Sequence, residues 1–181
     1  MEEPTMALQE HRQHLWLVIG LILVGVISRF VPHPWNATPL IAIALFGGTY
    51  LSKRLAILLP LAIVAASDLF LGWHSTIPFT WGAFAVTGLL AWWIRVRPSA
   101  MRIVAGSLLG SVIFFVVTNF GVWATQTLYP KTLAGVWECY VAGLPFFRNA
   151  LAGDLIYTGV LFGMYATIAV FGFTPARVKS E

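Results

Sequence analysis

Charge is what this chain has least of. Its 181 residues include 11 Lys and Arg and 7 Asp and Glu, so only 10% are charged. Soluble domains carry roughly 25%. A water-facing surface over most of the molecule is thereby excluded, and an integral membrane protein is indicated. One cysteine, Cys139, excludes an internal disulfide. Gly-x-Ser-x-Gly, His-Glu-x-x-His and a Ser/Lys pair are all missing, so no standard hydrolytic nucleophile or zinc site is written into the chain. There is no phosphate-binding loop, low-complexity segment, convincing internal repeat or long linker, and no room for a soluble catalytic domain.

Hydrophobicity fills the space that charge leaves. Apolar residues make up 59% of the chain and the mean hydropathy is +0.82. At about 20 residues per span, this length holds roughly six transmembrane helices and little else. The expected class is therefore an all-α membrane protein with six transmembrane helices and both termini cytoplasmic. A polar N-terminal tail covers residues 1–14, a single six-helix domain residues 15–173, and a C-terminal tail residues 174–181.

The breaks are read from proline and charge. The first span, 15–31, is too long for a signal-peptide core and lacks a small-residue cleavage site, so it is expected to be retained. Pro32-His33-Pro34-Trp35-Asn36 interrupts it. A short second span, 38–51, ends at Ser52-Lys53-Arg54, and a third, 55–73, carries Asp68 near its far end. Pro78 opens a fourth, which closes at Arg95-Val96-Arg97-Pro98, and the fifth covers 102–124. A connection of about 20 residues follows, including a semi-apolar piece at 133–144. Pro145 is expected to start the sixth span, which runs to 173.

Loop charge tests this threading. Arg12, Lys53, Arg54, Arg95, Arg97, Arg102, Arg177 and Lys179 fall on one side, and only Arg29, Lys131 and Arg148 on the other. That bias orients the richer side toward the cytoplasm and requires an even number of spans. The pI near 9.6 thus reflects topology, not nucleic-acid binding. Trp16, Trp73, Trp92, Trp93 and Trp123 fall near span ends, as an interfacial aromatic belt does.

The strongly polar residues inside apolar stretches share a depth. Arg29, Asn36, Asp68, Asn119, Arg148, Asn149 and Asp154 come from different spans, yet all fall in or beside the outer third. An ionised side chain at mid-membrane costs about 2.5–3.5 kcal/mol on insertion scales, so such groups pair or line a wet cavity. A pocket open to the outside is expected, lined by Arg29, Asn36, Asp68, Asn119, Trp123, Arg148, Asn149 and Asp154. Pairing of Asp68 or Asp154 with Arg29 or Arg148, merely closing the bundle, is the structural counterpart of this reading. Arg148 alone would be read as snorkelling to the interface. Within Pro145-Phe146-Phe147-Arg148-Asn149 it instead pairs aromatic rings with a bidentate donor at an expected helix start, which suits a planar or anionic ligand. His33, His74 and Cys139 also lie on the outer side, but no standard ligand spacing links them, and neither a metal nor a cofactor is expected. Asn36-Ala37-Thr38 is a sequon beside the membrane and reads as chance or packing. Small residues four apart, such as Gly106/Gly110 and Gly159/Gly163, let helix backbones approach closely or dock a partner.

Several stretches carry a family resemblance: Pro34-Trp35-Asn36-Ala37-Thr38-Pro39, Ala44-Leu45-Phe46-Gly47-Gly48, Ser67-Asp68-Leu69, the run from Phe114 to Trp123, and Leu144-Pro145-Phe146-Phe147-Arg148-Asn149. They resemble a family of small bacterial membrane proteins of unknown function. That family is similar in size, topology and pocket side to the substrate-binding S components of energy-coupling-factor (ECF) vitamin transporters. The resemblance implies a vitamin or cofactor-precursor binder in the bacterial cytoplasmic membrane, working with a transmembrane coupling subunit and two cytosolic ATPases. The small-residue docking motif it implies in the first helix is imperfect here, because Gly20 and Gly25 are five apart. Two other readings stand beside it: a structural or assembly subunit without a ligand, and a membrane-embedded enzyme using Asp68, Asp154 and His74 as acid–base groups.

Overall fold

A computed structural model describes residues 3–34 and 36–170, with side chains from residue 12 onward. Six helices follow one another: α1 (Glu3–Ser28), α2 (Leu40–Phe46), α3 (Leu55–Leu71), α4 (Ile77–Val96), α5 (Ala100–Thr125) and α6 (Leu133–Val170). Three of them, α4, α5 and α6, are long and apolar enough to cross a membrane. The other apolar stretches, Arg12–Ser28, Leu40–Leu51 and Leu55–Leu71, are shorter.

The middle of the bundle is α2. Every residue from Leu40 to Phe46 is buried, as befits a helix that is apolar all round. It packs against α3, α4, α5 and α6 and touches α1 lightly. Its last turn widens into a π-helix, Gly47–Leu51, closed by a bond from the Ser52 amide to the Gly47 carbonyl. Gly48 makes this possible: a Cβ there would lie 2.5 Å from the Cβ atoms of both Ala56 and Ala91. The widened turn ends on Arg95, whose Nη1 donates to the carbonyls of Gly48 at 3.3 Å and Thr49 at 3.1 Å. A cation suits the negative end of a helix and satisfies carbonyls that have no intrahelical partner. Tyr50 stacks on Tyr165 at 3.9 Å and Phe46 meets Phe162 at 5.5 Å, which fastens α2 to α6.

Two ends of the bundle differ in chemistry. The α2–α3 and α4–α5 turns carry Lys53, Arg54 and Arg97, Arg102 follows in the first turn of α5, and together they form a basic end. There Ser99 caps α5 by accepting from the Arg102 amide, and Arg102 lies over the Trp93 ring at 5.1 Å. The other end carries the α1–α2, α3–α4 and α5–α6 connections.

The polar tail ahead of the first span is itself helical from Glu3 and continuous with α1; Ala, Leu, Gln, Glu and Arg sustain a helix, and Pro4 sits in its first turn where no amide is missed. Two expectations need correction. The connection before α6 is only 126–132, because 133–144 is helix. Pro145 lies inside α6 and does not start it. Packing on α5 carries the helix through the proline: Tyr140 donates to the Val116 carbonyl at 2.7 Å, and Gly143 abuts Asn119. The readings for Trp35 and for residues 171–181, including the end of the sixth span, Arg177, Lys179 and the C-terminal tail, lie outside the described residues.

Glycine contacts separate packing positions from open ones. A Cβ on Gly88 would sit 2.4 Å from the Ala56 carbonyl oxygen, whereas one on Gly159 would meet nothing within 4 Å. Gly88→Ala should therefore destabilise the detergent-solubilised protein by about 1–3 kcal/mol, while Gly159→Ala should change it by no more than about 0.5 kcal/mol. Thermal unfolding of both variants beside the parent checks this.

Candidate functional site

The end opposite the basic turns opens into a cavity of about 560 Å³. That volume lies within the roughly 300–1,000 Å³ of small-molecule sites. Its walls come from the α1–α2 connection, the start of α4, the second half of α5, the loop before α6 and the first half of α6.

Helical spacing selects which residues reach it. On α5, Ser111, Phe114, Phe115, Thr118, Asn119 and Val122 line the cavity, a run of threes and fours that marks a single helix face. On α6, Gly143, Phe146, Phe147 and Ala150 do the same. Arg148 and Asn149, between those positions, are not in the wall; Arg148 is exposed and Asn149 half-buried. The aromatic half of the expected Phe-Phe-Arg-Asn cluster is thus at the cavity and the polar half is not.

Arg29, Asn36 and Asn119 do line the cavity. Asn36 adopts φ 65°, a left-handed conformation that Asn tolerates better than most residues. The Asn119 amide nitrogen donates to the Phe115 carbonyl at 2.8 Å, and its oxygen lies where a Cβ on Gly143 would collide at 2.4 Å.

Asp68 stands behind the wall. It occupies the last turn of α3, which Gly72 then terminates at φ 96°. A carboxylate at a helix C-terminus opposes the dipole, and Asp68 is 2% exposed. Two groups offset that cost. Arg29 Nη2 lies 3.0 Å from Asp68 Oδ1, and Trp81 Nε1 donates to Oδ2 at 3.0 Å. The ion pair ties α1 to α3, and the indole adds α4.

Asp154 is also 2% exposed. It is reached from the cavity through Ser111, whose hydroxyl lies 2.7 Å from Asp154 Oδ2 and 3.0 Å from the Ser107 carbonyl. One turn further, Thr158 donates to the Ser107 hydroxyl at 3.2 Å. Four polar side chains thus form a buried ladder between α5 and α6. Trp123 takes a supporting position: its Nε1 donates to the Pro130 carbonyl at 3.0 Å, and Lys131 lies over its ring at 5.4 Å and bonds its carbonyl. These contacts fold the loop so that Leu128 and Tyr129 reach the cavity.

Thr38, Thr80, Phe84, Ser111, Thr118 and Tyr129 were absent from the expected set, although the periodicity on α5 could have pointed to Ser111 and Thr118. His74 and Cys139 line the cavity, while His33 does not; its Nδ1 donates to the Val31 carbonyl at 2.6 Å. Cys139 Sγ bonds the Asn119 carbonyl at 3.4 Å, and His74 Nδ1 is 2.9 Å from the Thr76 hydroxyl. Among the described residues, no three His, Cys, Asp or Glu side chains gather as a metal site.

A helical bundle in which three helices are long and apolar enough to cross a membrane, with a mixed polar and aromatic cavity at the end opposite its basic turns, defines the class: a membrane-type helical protein. The chain belongs to a family of unknown function, DUF6580, whose model matches residues 9–175. Neither a curated protein nor a solved structure matches it.

The ion pair sets a stability test. Arg29→Gln or Asp68→Asn alone should cost about 3–5 kcal/mol, because each leaves a buried charge without its partner. The double variant should recover a large part of that loss. A double-mutant cycle from thermal unfolding in detergent measures it.

Proposed function

We propose that the protein is a substrate-capture subunit for uptake of a small micronutrient, held in a cavity open to the extracytoplasmic side. The observation that carries this reading is the cavity itself, set at the end opposite the cluster of Lys53, Arg54, Arg97 and Arg102. With the basic end in the cytoplasm, as loop-charge bias favours, the cavity faces out. The reading takes α1 to α6 as six spans of the bacterial cytoplasmic membrane, with both termini inside. Leu40–Leu51 is short for a span, but protein covers α2, so it need not match the bilayer by itself.

The resemblance to ECF S components extends the proposal to the partners. A transmembrane coupling subunit and cytosolic ATPases would supply the energy for release, and vitamins or cofactor precursors are the substrate class implied. An assembly subunit is the second reading. It draws on the Arg29–Asp68–Trp81 contacts, which hold three helices together whether or not the cavity is filled.

Orientation is checked in intact cells. In a Cys139→Ser background, a membrane-impermeant maleimide should label Lys131→Cys and leave Arg97→Cys unlabelled until the cells are opened. The reverse pattern would put the cavity on the cytoplasmic face.

Capture is checked by mass spectrometry of small molecules released from the protein, purified in mild detergent from its native host. A stoichiometric compound is expected. Ala142→Trp, which fills the cavity from an exposed wall position, should lower its occupancy by about tenfold or more while leaving thermal unfolding nearly unchanged. An empty cavity in well-folded parent protein would favour the assembly reading.

A further inference from the structure

Among the described residues, the cavity wall is unbalanced in charge: it contains one fixed cation, Arg29, and no carboxylate. A guanidinium presents five N–H donors in a planar fork. Asp68 Oδ1 forms an ion pair with Nη2 at 3.0 Å, but Arg29 Nη1 and Asp68 Oδ1 are both buried with no hydrogen-bond partner. Asp68 itself is 2% exposed, and its other oxygen accepts from Trp81 at 3.0 Å. The pair is thus fixed from behind, with one arm of the cation unspent. A charged donor left unpaired in a largely apolar wall is costly. Such a cost is removed when an occupant of the cavity brings the missing acceptor.

Resting on the capture reading above, we propose that Arg29 anchors the carboxylate of a singly charged, flat-bodied ligand. One free guanidinium edge matches one carboxylate; a phosphate dianion would call for further cations, and the wall has none that is fixed. An incoming carboxylate meets Arg29 in contact and Asp68 only across the width of the guanidinium, so attraction exceeds repulsion. The apolar body rests on Phe84, Phe114, Phe115, Phe146 and Phe147, which line the same cavity. The Phe115 and Phe147 rings, 4.7 Å apart and tilted by 36°, form a continuous aromatic surface across α5 and α6. Asn36 borders the cavity from the α1–α2 connection and offers an amide to the ligand's polar end. The anionic recognition expected at Arg148 therefore belongs to Arg29.

The test uses full-length protein in mild detergent, shown by mass spectrometry to be free of bound compounds. Its probes are naphthalene-2-carboxylate, naphthalene-2-carboxamide and 2-(aminomethyl)naphthalene, which share a flat body and differ in charge. Equilibrium binding should favour the carboxylate over the amide by about tenfold or more, with the amine weakest. The Arg29→Gln/Asp68→Asn double variant removes both charges together and so keeps the bundle folded; in it the preference should vanish. Equal affinity for carboxylate and amide, or a preference for the amine, would overturn the anchor and leave capture standing. A carboxylate preference that survives in the double variant would overturn the role of Arg29. Binding of none of the three would overturn the flat-bodied carboxylate ligand, while the released-compound measurement decides capture separately.

Discussion

A helix with no side facing lipid or water must be covered on every side, and α2 imposes that demand on the whole chain. Leu40 to Phe46 are all buried, and α3, α4, α5 and α6 supply the cover. Close approach is bought with Gly47 and Gly48, where a Cβ would strike Leu59, Ala56 and Ala91 at 2.5 Å. The far end of that central element is the π-turn, and Arg95 reaches its carbonyls from α4. Packing around the Gly47–Gly48 turn is consequently tight. The opposite end, where α2 has not yet begun, is where the helices leave space for a cavity.

The cavity wall follows from the same geometry. Arg29 and Asn36 flank the break between α1 and α2, while α5 and α6 contribute one face each. Asp68 ends its helix against the dipole and needs Arg29 and Trp81 to do so. Of that pair, Arg29 lines the cavity and Asp68 stands behind it, so the contact that closes the bundle lies at the cavity's edge.

Much of this was legible in the sequence, and the rest failed for identifiable reasons. The helical class, the breaks at 32–36, 52–54 and 97–98, and the gathering of Arg29, Asn36 and Asn119 at one end follow from proline, charge and depth. Depth alone does not fix a helix face. Arg148 and Asn149 share the depth of Phe146 and Phe147 but project about 100° per residue away from them, and only the ring pair meets the cavity. Pro145 misled because proline marks helix starts more often than interiors; tertiary contacts from Val116 and Asn119 sustain the helix across it. Of the Ser107–Ser111–Asp154–Thr158 ladder only the acid stood out as a polar residue within a span, because the pairing joins residues some 43 to 51 positions apart.

The central place of α2 also sets a timetable. Its covering helices α4, α5 and α6 are all synthesised after it, and the rings that fasten it, Phe162 and Tyr165, come more than a hundred residues later. Contacts so distant in sequence form late, because loop closure must precede them. While the ribosome is still at work, α2 waits as a short apolar segment without its neighbours. Its final position is therefore reached only near the end of translation, and a chain released before α6 is complete lacks the aromatic fastening of its own centre.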